Sequence, residues 1–252
     1  MDSTTDLRPQ FDNARDYYLS LGHADRSDGD PALYRSGVPH SLLNGVLRLG
    51  DKDVDEALAE ARGRLDGVPW WWWIGADSRS GVEEALLTRG GAFVQPMPVM
   101  AVSLDRVADV PAPAGLTVEQ VTASGIREWV QTFAPAFSMS PALHEDISRI
   151  EAARAGHPGT LIRFAARIDG QMVGTAALFD AHGVAGIYAV STVETHRRRG
   201  IGAHLTTVAL HTGRERGLRV GTLQASSAGA HVYRGMGFET VAEYHIFQLP
   251  PA

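Results

Sequence analysis

A mixed, mainly antiparallel sheet flanked by helices, of the α/β (α+β) class, is predicted by three observations. Two apolar runs meet at Asp169-Gly170, the strongest short-range signal for a hairpin. A third strand-like run, Ala185 to Thr192, follows after one more turn. From there apolar-faced helices alternate with short strands to the end of the chain, so the last crossovers are helical.

Each element has its own justification. Leu116 to Val121 (LTVEQV) alternates apolar and polar residues as a strand does, and Ser124 to Phe137 carries Ile126, Trp129, Val130 and Phe133 at helical spacing. Ser140-Pro141 places a capping side chain before a first-turn proline and opens a helix to about Ala155. Leu161 to Ile168 and Met172 to Phe179 are the strands around Asp-Gly, and Asp180 to Gly183 turns the chain into the third strand. Ile201, Leu205, Val208 and Ala209 share a helix face, and Arg216-Gly217 supplies the stop. Arg219 to Ala225 reads as a strand, Ser227 to Met236 as a short helix and Thr240 to Leu249 as the last strand.

Composition narrows the function. With 252 residues the chain can build one large domain or two modest ones. A formal net charge of −6 gives the whole molecule no tendency toward nucleic acid or an anionic membrane, so any anion must be held locally. The absence of cysteine excludes disulfides, thiol nucleophiles and thiolate metal sites, and no metal is expected. The start, MDSTTDLRPQF, lacks the basic-then-apolar order of a signal peptide, and no apolar run approaches the ~18 residues of a membrane span. A cytoplasmic protein is expected. The stretch Ala108 to Gly115 (ADVPAPAG) has the composition of an extended linker and separates residues 1–107 from 116–252.

The segment THRRRGIGAH, Thr195 to His204, carries the chemistry. Consecutive arginines alone are most simply a solvated charge run. Here they stand between the end of a strand and the first turn of a helix, where unpaired N–H groups and the helix dipole favour an anion. Gly200 and Gly202 let the backbone approach a ligand, and the arginines add bidentate donors, so the loop suits a pyrophosphate. A Walker loop is excluded because Ala203-His204 stands where Lys-Ser/Thr is needed; a dinucleotide fingerprint is excluded because position 205 is Leu.

Val190 to Leu205, VSTVETHRRRGIGAHL, resembles the acetyl-CoA signature of the GNAT superfamily of N-acetyltransferases, Arg/Gln-x-x-Gly-x-Gly/Ala, met by Arg197, Gly200 and Gly202. Ser226 to Phe238, SSAGAHVYRGMGF, is similar to the second signature, with Tyr233 at its tyrosine position and Gly237-Phe238 at its end. The resemblance spans about Leu116 to Leu249 and implies transfer of an acetyl group from acetyl-CoA to an amine by direct attack. It implies that the backbone of Arg198, Arg199, Gly200, Ile201, Gly202 and Ala203 binds the pyrophosphate. Ser191, Thr192 and Val193 would pair with the pantetheine arm, and one of their amides would polarise the thioester carbonyl. Ser226 stands where relatives often have a cofactor-contacting asparagine, and Tyr233 would protonate the leaving thiolate. Glu194 departs from the proline common at its position and is the candidate base, with a solvent-facing turn residue as the alternative. His144, Glu145 and Asp146 lie where relatives shape the acceptor site; His204 and His211, seven residues apart, read as structural. A non-catalytic acyl-CoA-binding regulator on the same fold stays open, as does a homodimer.

The first half is read as a smaller, degenerate GNAT-like domain preceding the catalytic one. Leu87 to Phe93 (LTRGGAF) matches Val232 to Phe238 (VYRGMGF), pairing Arg89 with Arg234, Gly90 with Gly235, and Phe93 with Phe238; Leu104 then pairs with Leu249. Thr88 takes the tyrosine's place in that pairing, and no Arg-x-x-Gly-x-Gly loop precedes Trp70. The run Trp70 to Trp73 is expected to be a core strand with two indoles on each face. Ser36 to His40 and Asn44 are expected to form a loop lining a cleft.

Overall fold

The computed structural model describes residues 3–154 and 161–250. The elements in chain order are α1 (Leu7–Leu19), β1 (Asp25–Ser27), β2 (Ala32–Arg35), β3 (Asn44–Arg48), α2 (Val54–Arg64), β4 (Trp71–Ile74), α3 (Val82–Thr88) and β5 (Ala92–Ser103). They continue as β6 (Thr117–Gln120), α4 (Ile126–Phe133), α5 (His144–Ala153), β7 (Leu161–Ile168), β8 (Gln171–Ala181), β9 (Val184–Thr192), α6 (Ile201–Glu215), β10 (Val220–Gln224), α7 (Ser227–Gly235) and β11 (Glu239–Gln248). The class is the expected mixed α/β one, mainly antiparallel. The second-half elements fall close to their expected ranges; Ala155, the expected end of α5, lies outside the described residues.

The hairpin turns follow from the sequence. Asp169 and Gly170 adopt φ of 50° and 77°, and His182 and Gly183 adopt 56° and 74°, as two-residue hairpin turns require. Accordingly Ile168 faces Gln171 and Ala181 faces Val184.

Contacts divide the chain into two compact units. Unit 1 comprises residues 1–13 and 100–241; unit 2 comprises residues 14–99 and 242–252. The two halves of the sequence follow the same order: a three-strand antiparallel meander, a helix, a strand parallel to the meander's last strand, a helix and a final strand. The final strands are exchanged. Unit 1 completes its sheet with residues 100–103 of β5, whereas in unit 2 β11 pairs antiparallel with β4 through His245↔Ile74, Ile246↔Trp73 and Phe247↔Trp72. This exchange is why the units depart from a cut at 108–115. That stretch is irregular, as its prolines dictate, but tied down: His204 Nδ1 lies 2.7 Å from the Val110 carbonyl oxygen, His211 pairs with Asp109 at 2.8 Å, and Ala108 N donates to Met236 O.

In unit 2 the tryptophans alternate as expected. Trp72, fully buried, packs with Trp70 into a core built with α2 and α3, and Trp73, also fully buried, meets Tyr18 and Tyr244 on the other face. Asn44 is buried and structural: Nδ2 donates to the carbonyls of Val38, His40 and Pro69, and Oδ1 accepts from Ser36 N at 2.9 Å.

The internal match is also realigned. Gly91 N donates to Leu86 O and Phe238 N to Tyr233 O, while Gly90 and Gly237 hold φ of 81° and 94°. These are equivalent helix stops, so Gly90 is level with Gly237 rather than Gly235. Buried Leu86, not Thr88, therefore stands at the place of Tyr233.

Candidate active site

The site lies in unit 1 and begins where two parallel strands part. The register of β9 with β10 runs Val184↔Val220, Ala185↔Gly221 and Gly186↔Thr222. Beyond that rung β9 continues to Thr192 paired only with β8. A strand with one unpaired edge offers a ladder of N–H and C=O groups to an extended ligand.

A bulge shapes this edge. Thr175 faces Ser191 and Ala177 faces Tyr188, so Ala176 opposes both Ala189 and Val190. Ala189 has a left-handed φ of 49°, and its carbonyl accepts from Thr175 Oγ1 at 2.7 Å. Bulges of this kind re-aim a strand beside a site. Ser191 is buried with its hydroxyl 2.8 Å from Thr175 Oγ1, and it faces Thr175 across the ladder, so it is bound into the sheet. Val193 N–H is spent on Val173 O at 2.9 Å. By strand alternation Thr192 turns its backbone away from β8, and its carbonyl accepts from Arg197 Nε at 3.3 Å.

Glu194 to His196 form a single 3-10 turn, with Glu194 exposed beside the strand end. The loop then carries two left-handed residues, Arg198 at φ 63° and Gly200 at 81°, either side of Arg199. A left-handed arginine costs about 1–2 kcal/mol, and such strain concentrates at functional loops. Gly200 caps α6 without a side-chain hydrogen bond, and the first turn holds no acidic residue. The amides of Ile201, Gly202 and Ala203 thus form an uncapped, arginine-flanked helix N-terminus. This is a set of donors fitted to pyrophosphate oxygens. A Cβ at Gly202 would meet Thr192 Oγ1 and Val190 Cγ1 at 3.6 Å, ordinary contact, which sets Gly202 against the end of β9.

Tyr233 comes from α7 to the same place. Its hydroxyl lies near Thr206, one turn beyond Gly202, and Thr206 Oγ1 donates to Gly202 O at 2.9 Å. The ring meets Phe238 edge-on at 5.6 Å. Burial pushes the phenol up to about 12, against a smaller opposing effect of Thr206. It stays protonated throughout the neutral range. Ser226 caps α7, accepting from Gly229 N at 3.1 Å.

The structure therefore gathers Thr192, the 197–203 loop and Tyr233 around one strand end. The other candidates are more dispersed: Glu145 is exposed, Asp146 pairs with Arg149 at 2.9 Å, and His144 Nε2 is buried without a hydrogen-bond partner. Sequence reasoning missed Thr175, Ala189 and the bulge. Its one trace is that Ile187 and Val190, three residues apart, both reach the same core. No group of metal-binding side chains occurs among the described residues, and no described helix is long and apolar enough to cross a membrane.

Residues 124–238 match the model of the Acetyltransferase (GNAT) family. Similar solved structures extend the likeness in fold over both units. A GCN5-related N-acetyltransferase from Kribbella flavida is 19% identical with a TM-score of 0.73, covering 97% of this chain and 96% of its own. One from Sphaerobacter thermophilus is 22% identical with a TM-score of 0.63, covering 79% and 68%. A tandem GNAT protein from the clavulanic acid biosynthesis pathway is 13% identical with a TM-score of 0.58, covering 98% and 97%. No significant match occurs among curated proteins. Residues 124–238 thus carry a domain of the GNAT acetyltransferase family, and the solved structures show the fold of the rest.

Proposed function

We propose that the protein transfers an acetyl group from acetyl-CoA to the nitrogen of an amine, by direct attack and without a covalent enzyme intermediate. The observation that carries this reading is the continuity of three features: the open edge of β9, the uncapped N-terminus of α6 and the hydroxyl of Tyr233. Acetyl-CoA supplies an activated thioester when bound. The backbone from Arg198 to Ala203 holds the pyrophosphate, with Arg197 and its neighbours completing the charge balance. The Thr192 amide, with Ser191 and Val193 fixing its direction, donates to the thioester carbonyl oxygen as negative charge develops there. Ser226, which caps α7, is read as a further contact to the cofactor.

The amine nitrogen forms its bond to the acetyl carbon as the carbon–sulfur bond breaks, and the sulfur leaves as thiolate. Tyr233 gives that thiolate its proton. A phenol at about 12 does so only because the thiolate forms in the same desolvated place, where its own basicity is raised. Glu194 receives the proton lost by the amine. Most of the acceleration comes from alignment and carbonyl polarisation.

We also read the first half as a degenerate, non-catalytic copy of the same unit. The shared element order and the equivalent helix stops at Gly90 and Gly237 support this.

Thiol release from acetyl-CoA, followed across a panel of amines, tests the reading. Tyr233→Phe is expected to lower turnover by about 10²–10⁴ with little change in acetyl-CoA affinity. Normal turnover of that variant removes the proton-donor role. Tight acetyl-CoA binding with no release for any amine favours a non-catalytic acyl-CoA-binding regulator.

A further inference from the structure

Two fully buried polar side chains of α1, Gln10 and Asn13, play no part in the reading above. Buried amides are costly unless every polar atom is bonded, so their partners show what the helix holds. Asn13 Nδ2 donates to the carbonyls of Phe179 and Ala181 at 3.0 Å and of Val184 at 3.3 Å, and Asn13 Oδ1 accepts from the Tyr188 hydroxyl at 2.8 Å. Gln10 Oε1 accepts from Thr222 Oγ1 at 3.1 Å, while its Nε2 is anchored on the carbonyls of Thr4 and Asp6. One helix therefore grips β8, β9 and β10 together.

The grip falls on the last rung joining β9 to β10, Gly186↔Thr222. Thr222 is held by Gln10. Gly186 is held by exclusion, since a Cβ there would lie 2.1 Å from Asn13 Oδ1. Two residues further along β9, Tyr188 is tied to the same Asn13. Parallel strands that have begun to pair gain by pairing further, because each added rung satisfies backbone groups. Here β9 is fixed from its other face just where the next rung would form.

We propose that Asn13, with Gln10, is a positioning residue of the transfer site. It sets the rung at which β9 and β10 part and holds open the edge of β9 that receives the acyl donor. The proposal rests on the reading of that edge as the acetyl-CoA site.

Calorimetric titration of the full chain with acetyl-CoA tests it, comparing wild type with Asn13→Ala, Tyr188→Phe and Thr222→Val. Asn13→Ala is expected to weaken the dissociation constant about tenfold or more, and the two hydroxyl deletions about two- to fivefold, the scale of one lost hydrogen bond. All should bind close to one equivalent, as the wild type does. A helix that only stabilises the fold gives the opposite pattern: fewer competent sites, each with wild-type affinity. That result overturns the proposal. Should Asn13→Ala fail to fold, the single-hydroxyl variants decide, and unchanged affinity in both overturns it. A wild type that binds no acetyl-CoA removes the reading of the site and the proposal with it. A wild type that binds alongside variants of equal affinity removes the proposal alone.

Discussion

The loop from β9 to α6 in unit 1 and the loop from β3 to α2 in unit 2 occupy the same place in the repeated element order, yet they treat an anion in opposite ways. In unit 1 the helix begins on Gly200, without a side-chain cap or a first-turn acid, behind three arginines. In unit 2 the helix begins on Asp53, whose carboxylate accepts from Asp55 N and Glu56 N, and Asp55 and Glu56 are themselves acidic. Asp30 fills the loop ahead of it, accepting from Gly50 N and Lys52 N at 2.8 Å each. Arg79 closes the other side: its N donates to Leu49 O, and its guanidinium donates to the carbonyls of Asp51 and Lys52. The loop of unit 2 thus satisfies its own backbone groups with its own side chains, where unit 1 leaves donors for a ligand. On the proposed reading of the first half as a copy, the anion that unit 1 would take from a ligand is supplied in unit 2 by Asp30 and Asp53.

The largest expected effect breaks the comparison from the side of unit 1. Gly202→Asp puts a carboxylate among the donors of α6 and is expected to weaken acetyl-CoA binding more than about a hundredfold, by like-charge repulsion at a helix N-terminus. The space around Gly202 admits a Cβ, so the melting temperature should hardly move. A large fall in melting temperature would instead mark the position as structural.

A smaller effect is expected from unit 2. Asp30→Ala strands two backbone donors and should cost about 1–3 kcal/mol of stability in denaturant unfolding, without creating a second acetyl-CoA site. Burial opposes the charge of Asp30, but the amides of Lys52, Gly50 and Asp51 outweigh it and hold the carboxyl below the usual range. Its contribution is therefore complete above the unfolded carboxylate value of ~3.9 and lost as pH falls through the folded one. The gap between wild type and variant should close in acid; a gap that widens there would contradict the role given to Asp30.

The smallest expectation is an absence. With its hydroxyl pushed up to about 12, Tyr233 should impose no basic limb on kcat/KM between about pH 8 and about pH 10. A limb near ~10 that disappears in Tyr233→Phe would show an unburied phenol.

Much of this comparison was legible in the residues of the second half. Asp169-Gly170, Arg216-Gly217 and the strand–loop–helix setting of THRRRGIGAH are local signals, and local chemistry decides hairpins, helix stops and helix N-termini. What was not legible is long-range. The exchange of β5 and β11 depends on strands far apart in sequence and leaves no mark in either. The bulge at Ala189 is made by an alanine, which carries no turn signature. Asn13 meets partners some 166 to 175 residues away. The match of Gly90 to Gly235 was drawn from identity alone, and hydrogen bonding moved it to Gly237.

The most direct test of the central contrast is the stoichiometry of acetyl-CoA binding to the full chain. The account predicts about one equivalent per chain, abolished by Gly202→Asp and unaffected by Asp30→Ala. Two equivalents, or one that survives Gly202→Asp, would contradict it.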